Sequence, residues 1–142
     1  DGVFQGRVQK KNGWQEFVFD GIKTLRHLCI DIQSTYDGKN SCIGEIELLD
    51  EGGNVIGKRK WNIVHTNTET ACSGIAENMI DGDEATAWHS ASENTKAMPH
   101  QLIVDLGNIR TVKGFRIFVA DKNDGCIKDF RLYGRPQFFL YE

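Results

Sequence analysis

The pattern that most constrains the fold is a series of short apolar segments separated by turn-forming residues. In the clearest segment, Leu28, Ile30 and Ile32 alternate with Cys29 and Asp31. This period of two residues is typical of a β-strand with one face in a core. Similar segments predict roughly ten strands, at residues 2–11, 14–19, 25–32, 42–49, 55–56, 61–64, 102–106, 111–119, 127–133 and 138–141. Without a convincing amphipathic helix, the pattern predicts an all-β fold, an antiparallel β-sandwich of the jelly-roll type.

Length and composition predict one globular domain over residues 1–142. The chain is 39% hydrophobic and 26% charged, which is typical of a globular protein, and it is too short for two domains of ordinary size. No apolar run approaches the ~20 residues that cross a bilayer. A net charge of −3 argues against a nucleic-acid partner, because phosphates require concentrated Lys and Arg. The basic run Lys58-Arg59-Lys60 is interpreted as a solvated hairpin end.

The four cysteines do not indicate a zinc or thioredoxin-like site, because none of them has Cys-x-x-Cys spacing. They are Cys29, Cys42, Cys72 and Cys126. Four cysteines allow three complete pairings, and small buried thiols are an equally valid interpretation.

One stretch carries a candidate cation loop. Asp81, Asp83 and Thr86 place three oxygen-bearing side chains within six residues, and Gly82 permits the tight backbone that turns carbonyl groups inward. Trp88 follows as a large apolar anchor that would fix the loop to a core. The alternative is a plain polar turn before a strand, since Asp-Gly-Asp sequences are common in turns.

Three motifs, taken together, resemble a known family. They are residues 76–90, which contain the candidate cation loop, residues 99–107 (Pro-His-Gln-Leu-Ile-Val-Asp-Leu-Gly) and residues 112–117 (Val-Lys-Gly-Phe-Arg-Ile). Their order and spacing resemble the discoidin family, also called coagulation factor 5/8 type C domains, which are galactose-binding-like β-sandwiches. Within it, the chain most resembles the carbohydrate-binding modules of bacterial glycoside hydrolases, including putative chitobiases.

The two halves of the chain stand in the reverse of the family's order. Residues 14–19, 25–32 and 42–48 resemble the family's closing strands, yet they come first. Residues 138–142 and 1–4 resemble the two sides of one cut hairpin. The resemblance therefore implies a circular permutation, which sandwich termini tolerate because they lie at the surface and close together. A fragment cut out of frame from a tandem array is the rival explanation.

The resemblance implies a structural Ca²⁺ ion between the cation loop and a strand that is distant in sequence. A carboxylate at the start of a strand, Glu45, is expected to face solvent or to have a partner. Oxygen donors alone suit Ca²⁺ and exclude a soft metal. The implied ligands are the Asn78 carbonyl, the Asp81 carboxylate, Asp83, Thr86 and Glu45, assisted by the Gly44 carbonyl.

The resemblance also implies a sugar site on loops at one end of the sandwich. His89 matches a polar contact of such modules, and Tyr36, with Asp37 and Asn40, lies in the loop that often supplies a stacking ring. Each has a structural alternative, as a loop cap or a packing residue. The Arg of galactose-binding members is missing, and Lys122 and Asn123 replace it in part. The sugar therefore stays open.

These observations predict a non-catalytic carbohydrate-binding module that holds a larger glycan-active protein near its substrate, outside the cytoplasm. No hydrolase, metalloprotease or phosphate-loop motif is present, so we do not expect an enzyme. Membrane binding is not expected, because the loop tips carry little positive charge and at most Tyr36 and Met98 as apolar spikes. A protein-binding adhesion or docking module is the main alternative.

Overall fold

The computed structural model describes residues 2–91 and 95–136. Over these residues the chain forms eight strands and one 3₁₀ turn, Ala76–Ile80, and has no α-helix. The strands are β1 (Gly2–Arg7), β2 (Gly13–Ile32), β3 (Cys42–Ile43), β4 (Glu45–Leu49), β5 (Asn62–Thr66), β6 (Trp88–His89), β7 (His100–Val119) and β8 (Asp129–Arg135). All strand pairs among them are antiparallel, which confirms the predicted all-β sandwich.

Two long strands, β2 and β7, build both layers of the sandwich. They pair along almost their whole length, from Gly13 opposite Val119 to Ile32 opposite His100. One half of this ribbon extends into a five-stranded layer with the order β1-β8-β2-β7-β5, and the other half forms a three-stranded layer, β2-β7-β4. The short strands β3 and β6 pair with each other.

Several predicted strands differ from the structure, and the strand predicted at 55–56 is only an isolated bridge between Val55 and Leu49. Residues 14–19 and 25–32 belong to one strand, β2, and residues 102–106 and 111–119 belong to one strand, β7. Register irregularities at Val18/Lys23 and Leu25/His27 mark where the ribbon bends between layers. Conversely, the predicted strand 42–49 divides at Gly44, where an added Cβ would lie 2.7 Å from the Phe118 ring.

The N-terminal strand pairs close to the C-terminal end of the described chain. Gly2 lies opposite Tyr133 and Arg7 lies opposite Asp129. The predicted partner of residues 1–4, residues 138–142, lies outside the described residues, as does the strand predicted at 138–141.

An aromatic cluster joins the two layers. Phe130 of the five-stranded layer lies 5.1 Å from Phe17 and 5.9 Å from Phe115 of the three-stranded layer, measured between ring centroids. Phe4 of β1 lies 5.7 Å from Phe17. Phe115 and Phe130 are fully buried, and rings at these separations interact favourably beyond their burial alone.

The loops that begin and end the long ribbon meet at one end of the sandwich. Thr35 forms a β-bridge with Ile127, and Cys42 forms a β-bridge with Cys126. The Lys122 N–H also donates to the Asn12 side chain (2.6 Å). The structure therefore brings residues 9–12, 33–42 and 120–127 together, and we call this region the loop end.

A buried carboxylate, Asp105, joins β2 to β7 beside the bend and gives a first prediction. Arg26 donates to both of its oxygens (2.9 and 3.4 Å), and the Gly107 N–H donates to Oδ1 (2.9 Å). Burial would raise the pKa of Asp105, but these bonds outweigh it and hold the pKa below its usual value. Because the folded-state pKa is depressed, this stabilisation exists above the unfolded-state pKa of ~3.9 and is lost as pH falls.

We expect Asp105→Asn to lower the free energy of unfolding at pH 7 by about 1.5–3 kcal/mol, the usual cost of losing hydrogen bonds to a charged group. The difference from the wild type should shrink below pH 4. Urea unfolding at pH 7 and pH 3 measures both effects, with exposed Asp124→Asn as the control. A pH-independent difference would contradict the assignment of this stabilisation to the ionised carboxylate.

Candidate functional site

The candidate cation loop is built around the Thr86 hydroxyl. It follows the 3₁₀ turn and passes through Gly82, whose φ is +77°. The Asp81 carboxylate accepts the Asp83 N–H (2.9 Å) and the Thr86 hydroxyl. The Thr86 hydroxyl oxygen also lies 3.4 Å from the Asn78 carbonyl and 3.1 Å from the Asp83 carbonyl. One hydroxyl has a single proton, so it can donate to only one of three facing oxygens at a time.

The structure brings Glu45 of β4 to this loop. Glu45 is 1% exposed, and its Oε2 accepts the Gly82 N–H (3.0 Å). Lys58 pairs with the same oxygen and also donates to the Ile46 carbonyl (3.0 Å). The second oxygen, Oε1, is buried without a hydrogen-bond partner among the described residues.

The positive charge near Glu45 does not fully compensate for the burial of its carboxylate. Burial raises its pKa to about 7, against the opposing effects of the Lys58 ammonium and the Gly82 N–H. The neighbouring Asp81 carboxyl group raises the pKa further. Two carboxyl groups in contact and one orphaned buried oxygen leave room for an additional cation.

Only some of the six proposed metal ligands converge on one point near the Thr86 hydroxyl. Asn78, Asp81 and Thr86 converge as above, and Glu45 joins them from β4. The Asp83 carboxylate instead accepts the Ala85 N–H (2.8 Å), so only its carbonyl faces Thr86. Gly44 donates its N–H to the Phe118 carbonyl (3.0 Å), which ties it to β7. The described residues contain no cluster of three or more His, Cys, Asp and Glu side chains suited to a metal, so a cation here would depend on carbonyl and hydroxyl oxygens.

Trp88 anchors the loop as predicted. Its side chain is fully buried, and the indole N–H donates to the Thr68 carbonyl (2.9 Å). Backbone pairing with Ile43 places it beside the start of β4.

The proposed sugar-binding residues lie along a row of neighbouring backbones at the loop end. His89 pairs with Cys42, Cys42 bridges to Cys126, and the Cys126 carbonyl accepts the Tyr36 N–H (3.0 Å). Three steps between neighbouring backbones, each ~4.8 Å, therefore lie between Tyr36 and His89. They therefore do not meet around one point but lie at the two ends of a row.

Tyr36 presents a fixed ring. It is 37% exposed, its hydroxyl donates to the Val8 carbonyl (2.7 Å), and the Lys128 ammonium lies 5.6 Å from the ring centroid. A ring held in this way loses little conformational freedom when a ligand stacks on it.

The neighbours of Tyr36 have mainly structural contacts. The Asp37 carboxylate accepts the Thr35 hydroxyl (2.9 Å) and the N–H groups of Lys39 and Asn40 (2.8 Å each). Burial would raise the pKa of Asp37, but these bonds lower it overall. The Asn40 amide also donates to Asp37 (3.4 Å). Asp37 therefore shapes the loop that presents the ring.

The remaining two sugar candidates lie in an exposed turn. Lys122 and Asn123 are held through their backbones by Asn12 (2.6 Å) and Asp121 (2.9 Å), and both residues are exposed. At the other end of the row, His89 is half-buried, with Nε2 3.8 Å from the Cys42 sulfur.

Lys58 is the site residue that the sequence interpretation missed. We interpreted Lys58-Arg59-Lys60 as a solvated hairpin end, and this was wrong for Lys58, whose side chain is only 14% exposed against Glu45. Arg59 and Lys60 are exposed as expected. A buried carboxylate requires a cationic partner, but nothing local distinguishes Lys58 from its two basic neighbours.

The comparison with protein families agrees with this geometry. A profile of the F5/8 type C domain matches residues 63–137, which is just over half of the chain. The chain belongs to the F5/8 type C domain family. The match covers the part that carries β5 to β8 and the cation loop. A comparison with curated proteins gave no match.

Family membership defines a general role. F5/8 type C domains are commonly carbohydrate- or protein-binding modules, generally non-catalytic, and they occur in extracellular and secreted proteins. In the part of the chain that the structure describes, no helix has the length and apolar character needed to span a bilayer.

Proposed function

We propose that this F5/8 type C domain is a single, non-catalytic carbohydrate-binding module that holds a larger glycan-active protein near its substrate, outside the cytoplasm. The observation that carries the proposal is the row at the loop end, which has a fixed, partly exposed ring at Tyr36 and a histidine at His89. Aromatic rings stack on the apolar faces of sugars, and polar side chains bind the hydroxyl groups.

The dimensions of the row favour an oligosaccharide. Tyr36 and His89 lie three neighbouring backbones apart, each ~4.8 Å from the next, so we expect a single sugar ring stacked on Tyr36 to leave His89 free for a second one. The exposed turn at Lys122 and Asn123 adds hydrogen-bond donors close to Cys126. A shallow site of this kind binds weakly, and tethering or multiple copies would supply avidity.

We further propose that Ca²⁺ stabilises the module. The Glu45 and Asp81 carboxylates, the Thr86 hydroxyl and the carbonyls of Asn78 and Asp83 would hold it, and the orphaned Glu45 Oε1 supports this fit. The mixed carboxylate and carbonyl donors suit a hard cation. When bound, calcium supplies charge neutralisation between two distant segments, and its role is structural.

The similarity to modules of chitobiase type and the circular permutation remain parts of this proposal. Two observations support the permutation. The family profile matches the C-terminal half of the chain, and β1 pairs with β8, so the two ends of the described chain lie close together, as a permuted sandwich requires.

Substitutions at Tyr36 test the sugar site. We expect Tyr36→Ala to weaken glycan binding at least tenfold, about 1.4 kcal/mol, because the stacking ring is lost. Tyr36→Phe should retain binding, because it keeps the ring and loses only the hydrogen bond to the Val8 carbonyl. The measurement is a glycan array followed by calorimetric titration of the best oligosaccharide.

Two histidine variants, one at the proposed site and one control, are measured in the same experiment. His89→Ala should weaken binding of an oligosaccharide more than binding of its monosaccharide, whereas His65→Ala, on exposed β5, should change neither. Equal binding by the wild type and Tyr36→Ala would place the glycan elsewhere, and no binding to any glycan would contradict the proposed function.

A protein-docking module is the second candidate, and a groove of mixed polar and apolar lining that contains two exposed apolar side chains favours it. The groove has a volume of about 480 Å³ and is lined by Val55 and Ile109, which are 45% and 60% exposed. Exposed apolar patches of this kind are typical of interaction sites. A protein partner whose binding is lost in Ile109→Asp and kept in Tyr36→Ala would support this role.

A further inference from the structure

Two of the four cysteines lie directly beside each other in the fold. Cys42 begins β3, Cys126 follows the turn at 121–125, and the two residues form a parallel β-bridge. Neighbouring strands lie ~4.8 Å apart, and residues opposite each other in a bridge carry their side chains on the same face. This separation is within the Cα range of disulfides, about 4.4–6.8 Å.

The backbone around the pair is unusually close. Gly125, with φ of +72°, packs against Cys42 so tightly that an added Cβ would lie 3.2 Å from the Cys42 Cβ. A larger residue would push the two segments apart.

Both thiols are free in this structure, and each sulfur contacts groups other than the opposite cysteine. The Cys42 sulfur lies 3.8 Å from His89 Nε2, and the Cys126 sulfur lies 4.0 Å from the Gln9 carbonyl. Forming the bond would require rotation about χ1 at the two residues, and rotation between staggered positions is accessible to a cysteine.

The other two cysteines are placed differently. Cys29 lies within β2 between Tyr133 and Ile103 of the adjacent strands, and Cys72 lies in an exposed loop. Neither is a backbone neighbour of another cysteine in the pairs that the described residues form. The bridges and strand pairs of the described residues therefore single out Cys42 and Cys126 as the cysteines that are backbone neighbours.

We propose that Cys42 and Cys126 form a disulfide under oxidising conditions. In the reaction, one thiolate attacks a low-molecular-weight disulfide such as oxidised glutathione and releases one glutathione thiolate. The second thiolate then attacks the protein sulfur of the resulting mixed disulfide and releases the other glutathione thiolate. The two thiols lose two protons and two electrons, and the oxidant is reduced to two thiols. Extracellular proteins, in which F5/8 type C domains occur, meet such an environment.

The link forms during folding. Burial raises the pKa of Cys42 to about 12 and also raises the pKa of Cys126, so the folded protein has little thiolate to react. Before the loop end closes, both sulfurs are accessible. Once formed, the bond is shielded, because the two residues are 7% and 3% exposed.

The disulfide would join the two loops that carry the sugar candidates. Residues 36–40 precede Cys42, and residues 122–123 precede Cys126. A covalent link between them limits the relative motion of the ring and the turn, which preorganises the loop end for a ligand. The inference itself depends only on the backbone pairing, so it stands or falls independently of the glycan proposal.

Disulfide mapping tests the proposal. The reduced, unfolded wild-type chain is refolded with reduced and oxidised glutathione, its remaining thiols are alkylated, and its peptides are mapped by mass spectrometry. We expect one linked peptide joining Cys42 to Cys126, with Cys29 and Cys72 alkylated or bound to glutathione. Alkylated Cys42 and Cys126, or a link to either of the other cysteines, would overturn the proposal.

The melting temperature gives a second readout. Because the bond closes a long loop, Tm should be higher in the oxidised than in the reduced wild type by about 10 °C. Cys72→Ser should keep this difference, and Cys42→Ser should abolish it. A difference that persists in Cys42→Ser would assign it to another pair and overturn the proposal. The mapping on the wild type remains decisive if Cys42→Ser does not fold.

Discussion

Replacement of Lys58 by Met is expected to lower the free energy of unfolding by roughly 3–5 kcal/mol at pH 8 in the presence of a chelator. Breaking one side of a buried ion pair has this cost because the remaining charge is buried without compensation. Here the remaining charge is Glu45, which is 1% exposed and keeps only the Gly82 N–H and the Asp81 contact. Urea unfolding followed by circular dichroism measures the change.

Two further variants separate the effect of the lost charge on stability from the effect of the changed side chain. Lys60→Met makes the same chemical change at an exposed lysine and should cost less than about 0.5 kcal/mol. Lys58→Met combined with Glu45→Gln should recover most of the loss, because a neutral amide retains an acceptor for the Gly82 N–H. The cost of Lys58→Met should also shrink at pH 5, where Glu45 carries a proton. An unchanged stability in Lys58→Met would show that the buried pair is absent in solution.

Addition of Ca²⁺ to chelated protein is expected to raise the free energy of unfolding by about 2.7 kcal/mol at roughly 100 times Kd, because calcium would bind the folded chain and not the unfolded one. The corresponding rise in Tm is on the order of 5–10 °C for a chain of this size. Asp81→Asn should abolish the rise, because its carboxylate contacts both Thr86 and Glu45.

Asp83 offers a matched control for the calcium response. Asp83→Asn removes the same charge from the same loop, but the Asp83 carboxylate accepts the Ala85 N–H and only its carbonyl faces Thr86. This variant should therefore keep the response to calcium. Loss of the response in both variants would indicate a diffuse charge effect, and no response in the wild type would leave the loop as a plain turn.

The two experiments are linked through Glu45. Bound calcium would supply positive charge beside the carboxylate that Lys58 neutralises in its absence. We therefore expect the penalty of Lys58→Met to be smaller with calcium than with chelator. The difference between the two penalties is the coupling free energy between the ammonium and the metal.

Local patterns predicted the strands and the anchor of the cation loop. Alternation placed Leu28, Ile30 and Ile32 in the core, where all three are fully buried. Trp88 was predicted to be buried beside the loop and is. Such features follow from neighbouring residues, because the side-chain period of a strand and the backbone freedom of Gly82 are properties of a few consecutive residues.

Strand continuity could not be predicted in the same way. Residues 20–24 fall between two predicted strands, yet the chain continues through them as β2 because β7 pairs along the same bend. Whether such a segment breaks a strand depends on its partner strand. That partner is about 90 residues away in sequence.

The sequence was enough to predict an all-β chain and to locate the candidate cation loop, because side-chain alternation, turn residues and motif spacing are properties of nearby positions in the chain. The tertiary structure was needed for everything that depends on long-range pairing. It placed Lys58 against Glu45, set Tyr36 and His89 at opposite ends of one row, and put Cys42 beside Cys126. Charge burial and side-chain proximity arise only when distant strands pack, so no local pattern encodes them.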